Sequence, residues 1–432
     1  MGWAMAGTGQ RQGPGGAASC VEKISVADRV SMCDRHESQT KKHTVNSRNR
    51  QTPRARGMSD HASATAELQV VEFFSGIGGL HYALRRAGVP HRVVRAYDVD
   101  VAAMSTYRHN MPQTSTSTID LLRLKGEELR AACGRNDVWL LSPPCQPYTR
   151  QGLQLAANDG RASALEHLLD MIEGDASLLP SALLLENVVG FESSASRARL
   201  HAALVRADYC VRELWVSPAM LGVPNQRTRY FIVAKRGGES LPAVLPVELA
   251  RVTMLDPREL DEACAPGGTP LTPPRGELDA EIVDACAPLS EYLEPRESVA
   301  VAELAVPEHV LERYAACMDL VGRHSRRSLC FTKNYARYVK GTGSILCEAM
   351  KSDDAMLSGD DKSLAALKPL APRYFAPREL ARLHGFPDAF AFPPEVSRKK
   401  QYELVGNSLS VQVVAALLRF LLASPPAEDR AD

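Results

Sequence analysis

Leu68-Gln69-Val70-Val71-Glu72-Phe73-Phe74 runs directly into Ser75-Gly76-Ile77-Gly78-Gly79, and this junction decides the fold of the chain. The first part is an apolar run of strand length, and an amphipathic helical stretch begins near Gly79. Glycines between a strand and a helix let the backbone approach a ligand closely at the carboxyl end of the strand. The junction therefore predicts a ligand-binding turn in an α/β fold, with a plain helix-entry turn as the alternative.

The same alternation of apolar, strand-length runs with helical stretches continues along the chain. The expected strands are Leu68–Phe74, Val93–Tyr97, Val138–Leu141, Ala182–Leu185, Val211–Val216 and Phe231–Ala234. Helices are expected to begin near Gly79, Val101, Gly126, Ala162 and Ser196. Such alternation indicates a mostly parallel sheet covered by helices on both faces. The predicted fold class is therefore a doubly wound, Rossmann-like α/β domain.

Composition is that of an ordinary globular chain, with 432 residues, 45% hydrophobic and 24% charged. No apolar run approaches the roughly 20 residues that a membrane span needs, and the amino terminus lacks the apolar region of a secretion signal. Ten cysteines without a C-x-x-C pair argue against a disulfide framework or a zinc site. We therefore expect a protein that binds no metal and no membrane and is cytoplasmic, with a nuclear location also compatible.

Charge is distributed unevenly along the chain. Residues 1–57 hold ten Lys and Arg against four acids, a net charge of +6, which leaves −6 for the rest of the neutral chain. Residues 1–66 are also rich in Gly, Ser, Gln and Thr without a sustained period, which predicts a disordered basic tail. Translation from Met58 is the alternative, and it would leave residues 1–57 out of the protein.

A second junction presents a candidate nucleophile. Ser142-Pro143-Pro144-Cys145-Gln146-Pro147-Tyr148-Thr149-Arg150 follows directly on the apolar run Val138–Leu141. Two prolines stiffen this turn, since each ring fixes φ and each residue before a proline is pushed towards extended backbone. The thiol of Cys145 is therefore expected to be presented with little freedom, although an isolated cysteine is more often inert packing.

Four blocks in this order resemble the cytosine-5 methyltransferase family: Phe73–Gly79, the Pro-Pro-Cys turn, Leu183–Val188 and Gln226–Phe231. Cys330-Phe331-Thr332 and the spelling of the turn around Cys145 resemble the branch named as a second DNA methyltransferase, whose members methylate aspartate tRNA. The resemblance covers roughly residues 68–422. It implies transfer of a methyl group from S-adenosylmethionine to C5 of cytosine 38 in the anticodon loop of aspartate tRNA. A DNA cytosine-5 methyltransferase and a catalytically silent nucleic-acid-binding protein are the alternatives.

The resemblance also implies the catalytic residues. Cys145 would add as a thiolate to C6 of the cytosine, and Glu186 would protonate or hydrogen-bond N3 at the same moment. Asn187 would orient Glu186 and contact the substrate. Arg227 and Arg229, two apart in an extended run, would place both guanidiniums on one face and supply positive charge.

A cofactor pocket for S-adenosylmethionine follows from the same resemblance. Asp98, at the end of the second strand, would accept hydrogen bonds from the ribose hydroxyls. Family positions that would line the rest of the ligand are Ile77, Gly78 and Gly79 at the amino-acid moiety, Ile119 and Asp120 at the adenine, and Ser142 and Ser408 beside them.

RNA recognition usually targets loops, because their bases are already unstacked. A chain with an acidic body must bind phosphates through local basic patches. Candidate backbone contacts, each with a solvated surface as its alternative, are Arg326, Arg327, Lys333, Arg398 and Lys399.

The expected organisation has one catalytic domain interrupted by an insert. Residues 67–238 would form the cofactor-binding part, 239–372 the small target-recognition insert with the Cys-Phe-Thr segment, and 373–423 a return to the catalytic domain. Residues 424–432 would form a tail. The returning block is expected to pack beside the first strand, so that the two ends of the catalytic domain meet.

Overall fold

The computed structural model describes residues 67–144, 160–237, 241–242, 245–256, 258–260, 279–295, 302–351 and 363–423. The chain divides into two units, residues 1–62 and 63–432. The predicted tails at 1–66 and 424–432 lie outside the described residues, and so does Cys145.

A single eight-stranded sheet forms the centre of the second unit, with the order β3-β2-β1-β4-β5-β7-β6-β8. Its strands are β1 (Leu68–Phe73), β2 (His91–Tyr97), β3 (Thr116–Ser117), β4 (Val138–Leu141), β5 (Ala182–Val188), β6 (Tyr209–Val216), β7 (Arg229–Arg236) and β8 (Thr253–Met254). The first five are mutually parallel, whereas β7 runs antiparallel to both β5 and β6, and β8 antiparallel to β6. The predicted doubly wound, mostly parallel sheet is confirmed.

Five helices connect these strands at the predicted places: α1 (Gly79–Ala87), α2 (Val101–Asn110), α3 (Gly126–Cys133), α4 (Gly160–Gly174) and α5 (Ala195–Arg206). Local chemistry fixes their ends. Asp100 accepts hydrogen bonds from the first backbone amides of α2 at 2.9 and 3.2 Å, and Ser194 caps α5 in the same way at 3.1 Å. Gly88 closes α1 with left-handed backbone, which glycine adopts without a Cβ penalty.

Apolar side chains cover both faces of the sheet, because successive residues of a strand point to opposite sides. Val70, Leu140 and Leu184 belong to a core that includes most of the last helix of the chain. Val71 and Leu141 belong to the core on the other face, with residues of α3 to α5. Burial on both faces explains why these strands read as continuous apolar runs.

Beyond β8 the chain forms smaller elements around a second, three-stranded sheet of order β11-β10-β9. The strands are β9 (Leu320–Val321), β10 (Ile345–Cys347) and β11 (Pro372–Arg373). The helices of this region are α6 (Ala280–Asp284), α7 (Glu308–Tyr314), α8 (Leu364–Leu367), α9 (Pro377–Leu383), α10 (Arg398–Asn407) and α11 (Val411–Leu422). A separate apolar cluster that includes Leu311, Ile345 and Leu367 packs α7 and α8 against the small sheet.

The last described helix packs against the first one. Helix α11 packs mainly on α1, the helix after the first strand, and Arg419 donates a hydrogen bond of 3.4 Å to the carbonyl of Arg86. Among the described residues, 398–422 is the one helical stretch with the length and apolarity of a membrane span. Because 78% of its most apolar window is buried inside the protein, it is accounted for as a core helix.

Candidate active site

The chemistry-bearing residues meet at one edge of the central sheet. Parallel strands present their carboxyl ends together, and β1, β4 and β5 are consecutive neighbours. Strand β7 is antiparallel, so its first residue, Arg229, lies opposite Val188, the last residue of β5. The glycine turn, the segment Ser142 to Pro144, Glu186 and the two arginines are therefore brought to the same edge.

Glu186 is buried near the end of β5, and both its carboxylate oxygens have partners. The hydroxyl of Ser142 donates a hydrogen bond of 2.8 Å to Oε2, and Nε of Arg229 lies 3.4 Å from Oε1. Its side chain keeps 9% exposure. The carboxylate is therefore held in one orientation by two neighbours and still reaches the surface of the site.

The structure places Asn187 beneath the Pro-Pro-Cys turn. Its amide nitrogen donates a hydrogen bond of 3.3 Å to the carbonyl of Pro143, and its oxygen accepts one of 2.8 Å from the amide of Val188. The side chain is buried, and its hydrogen bond to Pro143 ties β5 to the segment that leads to Cys145. The described chain stops at Pro144, one residue before Cys145.

Arg227 and Arg229 share a face, as the extended run predicts, and both point at Cys330. Nη1 of Arg227 lies 3.2 Å from the Cys330 sulfur, and Nη2 of Arg229 lies 3.7 Å from it. Burial opposes ionisation of this thiol, but the charges of the two arginines outweigh it and lower the pKa of Cys330. The sequence analysis singled out Cys330 as part of the Cys-Phe-Thr block but predicted no contact between its thiol and the two arginines.

Arg227 also joins three segments of the chain. Its guanidinium donates to the carbonyls of Phe331 at 3.0 Å, of Gly406 at 3.1 Å and of Ser408. Burial, followed by the nearby charge of Arg229, lowers the pKa of Arg227. The start of β7, the end of α10 and the segment of residues 330–344, called here the Cys330 loop, are therefore fixed to one another at the site.

Asp98 holds the glycine turn in place. Its carboxylate accepts hydrogen bonds from the amide of Gly76 at 2.7 Å and from the amide of Asp100 at 2.8 Å. Burial raises the pKa of Asp98, and these two hydrogen bonds act against the rise. The side chain of the adjacent Val99 is 68% exposed.

The remaining predicted cofactor residues surround the same turn. A Cβ on Gly79 would lie 3.1 Å from Oγ of Ser408, so these two residues are neighbours. Gly78 has left-handed backbone with φ of +90°, and the ring of Tyr107 stands 3.2 Å from where its Cβ would be. The side chain of Ile77 is buried in the core, which leaves its backbone to face a ligand.

Ile119 and Asp120 reach this edge through β3. The amide of Asp98 donates to the carbonyl of Ser117 at 3.1 Å, which places the chain after β3 beside the end of β2. Asp120 itself is exposed and accepts a hydrogen bond of 3.1 Å from the amide of Leu122, so its carboxylate caps the following turn. Ile119 packs partly against the core.

Three of the predicted basic contacts are engaged within the protein. Arg326 donates to the carbonyl of Cys286, Arg327 pairs with Asp319 at 2.8 Å, and Arg398 pairs with Glu303. Lys333 and Lys399 are exposed. Within the described ranges, no group of three or more residues is arranged to hold a metal ion.

Comparison with known proteins gives a consistent set of relatives. A family model described as C-5 cytosine-specific DNA methylase matches residues 68–422. The chain is 36% identical over 397 residues to the tRNA (cytosine(38)-C(5))-methyltransferase of Mus musculus, with 82% of this chain and 93% of that protein covered. It is 33% identical over 375 residues to a protein of Dictyostelium discoideum named DNA (cytosine-5)-methyltransferase, with 83% and 95% covered.

A solved structure has the same architecture. The crystal structure of the Schizosaccharomyces pombe Dnmt2 methyltransferase superposes with a TM-score of 0.64 at 28% sequence identity. The superposition covers 83% of this chain and 98% of that one. The fold described above is therefore shared over nearly the whole length of the neighbour.

Proposed function

Because this chain belongs to the C-5 cytosine-specific DNA methylase family, we propose that it transfers a methyl group from S-adenosylmethionine to C5 of cytosine 38 in a tRNA, with aspartate tRNA as the expected species. The observation that carries the proposal is the constellation at the sheet edge. Ser142 and Arg229 orient Glu186 directly beside the turn that leads to Cys145. The mouse relative named for this reaction supports the choice of tRNA.

The residues at the glycine turn fit S-adenosylmethionine. Each oxygen of Asp98 accepts one backbone hydrogen bond, and a carboxylate oxygen has a second lone pair for a ribose hydroxyl. Val99 offers an exposed apolar side chain for the adenine, and the backbone from Ile77 to Gly79 would hold the amino-acid moiety beside Ser408. The bound cofactor would supply an electrophilic methyl group.

Cytosine C5 becomes a nucleophile only after a group has added at C6. The thiolate of Cys145 would form the S–C6 bond, while the electron pair of the C5–C6 double bond moves into the ring and N3 takes a proton from Glu186. Once C5 carries the methyl group, a base removes the proton from C5, and the electron pair of that C–H bond forms the C5–C6 double bond as the S–C6 bond breaks and the thiolate of Cys145 leaves. The proton on N3 then returns to Glu186.

The neighbours of Glu186 suit this proton transfer. Ser142 and Arg229 fix the direction of the carboxyl group, so the proton can be delivered along one line. Asn187 holds the carbonyl of Pro143, which ties the nucleophile-bearing turn to the strand that carries the acid. This hydrogen bond therefore links the strand of the proposed acid to the segment that leads to the proposed nucleophile.

DNA methylation is the second candidate, and the name of the Dictyostelium relative favours it. The same constellation would serve cytosine in either nucleic acid. A catalytically silent binding protein has less support, because Glu186, Arg227 and Arg229 are all present with their contacts.

Methyl-transfer assays separate these candidates. Purified wild type and Cys145→Ala would be incubated with labelled S-adenosylmethionine and either total small RNA or genomic DNA. Label in tRNA that disappears with Cys145→Ala is the expected result, and bisulfite sequencing of the tRNA would then map the cytosine. Label in DNA alone would move the chain to the DNA reaction, and no label in either would leave the silent binding protein.

A further inference from the structure

The Cys330 loop carries an aromatic ring that the fold leaves in solvent. Tyr338 is 54% exposed, whereas Tyr335 in the same loop is 3% exposed and packs against three other aromatic rings. Tyr335 therefore anchors the loop, whereas more than half of the surface of Tyr338 is exposed. An exposed aromatic ring next to a nucleic-acid site is a candidate surface for binding.

Hydrogen bonds fix the backbone on both sides of Tyr338. Its amide donates to the carbonyl of Asn334 at 3.0 Å, and its carbonyl accepts from the hydroxyl of Thr342 at 2.6 Å. The amide of Thr332 donates to the carbonyl of Thr342 at 3.0 Å and closes the loop. The backbone that carries the ring is thus fixed before binding, which lowers the entropic cost of ordering it when a ligand binds.

The first residues of this loop line the candidate active site. Arg227 donates to the carbonyl of Phe331 and contacts the thiol of Cys330. The backbone of Thr332 and Lys333 packs tightly against Gly406 of α10. The loop therefore begins at residues that contact Arg227 and Arg229, and Arg229 lies beside Glu186.

The charge of the loop suits a nucleic-acid backbone. Residues 330–344 contain three cations, Lys333, Arg337 and Lys340, and no acid. All three are exposed, and no ion pair joins them to a carboxylate of the described residues. The guanidinium of Arg337 lies 5.2 Å from the centre of the Tyr338 ring. One face of the ring is thereby covered by a cation, which leaves the opposite face for a stacking partner.

We infer that Tyr338 is a stacking platform for an unpaired base of the substrate RNA next to the methylated cytosine, with Lys333, Arg337 and Lys340 holding the flanking phosphates. Aromatic side chains stack on unpaired bases, and a loop exposes such bases whereas a duplex does not. The platform would thus favour a tRNA loop over duplex DNA. This inference rests on the proposed function and names the feature of the substrate that the site reads.

The test compares Tyr338→Ala with Tyr338→Phe and Tyr338→Trp, which keep an aromatic ring. Tyr314→Ala is the matched control, since Tyr314 is 38% exposed, carries Arg313 at 5.3 Å from its ring and lies on α7. RNA binding would be measured with an anticodon stem-loop that carries the fluorescent base 2-aminopurine beside the target cytosine, without cofactor. KM and kcat would be measured on the full tRNA, and the Kd for S-adenosylmethionine on each variant.

Tyr338→Ala is expected to raise the Kd and the KM for RNA about tenfold, with kcat and the cofactor Kd unchanged. The Phe and Trp variants should bind as wild type does and keep the quenching of 2-aminopurine, which Tyr338→Ala should lose. Unchanged binding by Tyr338→Ala, an equal loss in the Phe variant, or an equal loss in Tyr314→Ala would overturn the inference.

Failure of the proposed function would look different. Wild type would then transfer no methyl group to tRNA, whatever the variants do to binding. If wild type methylates tRNA and all Tyr338 variants bind the stem-loop equally, the function stands and the stacking platform is wrong.

Discussion

Nη1 of Arg227 lies 3.2 Å from the sulfur of Cys330, and Nη2 of Arg229 lies 3.7 Å from the same sulfur. Two cations this close, one of them buried, need a counter-charge, because an isolated buried charge is costly. Glu186 lies 3.4 Å from Arg229, and the charges of both arginines lower the pKa of Cys330, which favours a thiolate beside them. Cys330 is therefore a positioning residue for both arginines.

Replacing Cys330 by Ala should leave the two guanidiniums without that partner and shift Arg229 away from Glu186. We expect methyl transfer to fall roughly tenfold, and Cys330→Ser, which keeps a weaker acceptor, to lie between the two. Single-turnover rates and the ultraviolet absorbance of the thiolate would be measured. Cys317→Ala, at an exposed thiol, is the control. A Cys330→Ala enzyme as fast as wild type would rule out the positioning role.

Glu186→Gln should remove the proton donor while keeping the size and hydrogen-bonding capacity of the side chain. The rate of the chemical step is expected to fall by a factor of about 10² to 10⁴, with the Kd for S-adenosylmethionine unchanged. Ser142→Ala removes the 2.8 Å hydrogen bond that orients the carboxylate, so the rate of the chemical step should fall about tenfold in this variant. Rapid-quench methyl transfer at saturating tRNA measures both, and a Gln variant with full activity would exclude Glu186 as the donor.

Asp98 and Asp120 can be told apart by matched substitutions to Asn. The carboxylate of Asp98 accepts from the backbone amide of Gly76 in the glycine turn and from that of Asp100, so Asp98→Asn should raise the Kd for S-adenosylmethionine about tenfold. Asn caps a turn as well as Asp does, so Asp120→Asn should change neither stability nor cofactor binding. Calorimetric titration decides the matter, and a weaker cofactor Kd in Asp120→Asn would mean that its carboxylate contacts the ligand.

The strands and helices could be predicted because both core faces of the sheet are made of local apolar runs, such as Val138–Leu141. The place of Glu186 directly after a run of four buried apolar residues was visible in the sequence, whereas the role proposed for it came from the family resemblance. The antiparallel direction of β7 could not be predicted, because an apolar strand buried on both faces has the same sequence pattern whether it runs parallel or antiparallel.

Contacts between charged residues that are far apart in sequence cannot be predicted from the local sequence. Arg398 reads as part of a basic cluster, but its partner Glu303 is 95 residues away in sequence. The same holds for Cys330, whose thiol meets Arg227 across 103 residues. In both cases the residue types were visible in the sequence, whereas the contact that gives them a role exists only after folding.

Glu72 should make stability depend on pH above the acid range. It is buried behind the glycine turn, where Tyr107 donates a hydrogen bond of 3.0 Å to Oε2, and burial raises its pKa to about 8. The folded state therefore holds the proton more tightly than the unfolded state, so this stabilisation is complete below the ordinary pKa of 4.5 and is lost as pH rises towards 8.

The side chain in Glu72→Gln stays neutral, so this variant should lack the part of the pH-dependent loss of stability that Glu72 causes. Denaturant unfolding of wild type and Glu72→Gln would be compared from mildly acidic to mildly alkaline pH, and the stability curves should converge at the acidic end. His81, which contacts the hydroxyl of Tyr107 at 2.9 Å, acts in the opposite sense. Burial lowers its pKa to about 3, so its contribution is present above 6.5 and is lost as pH falls. Parallel curves for the two proteins would contradict the role of Glu72.

Gly406 should be intolerant of any side chain, because it sets the distance between α10 and the Cys330 loop. A Cβ there would overlap the backbone of Thr332 and Lys333, and backbone cannot move aside as the end of a side chain can. Gly406→Ala should therefore cost about 1–3 kcal/mol in the free energy of unfolding. The displaced loop should also weaken the hydrogen bonds of Arg227 to the carbonyls of Phe331 and Gly406, so activity should fall with stability.

Gly174→Ala is the control, since its Cβ would meet nothing within 4 Å at the end of α4. Denaturant unfolding of both variants measures the difference, and equal stability would mean that the loop and α10 are not coupled through this contact.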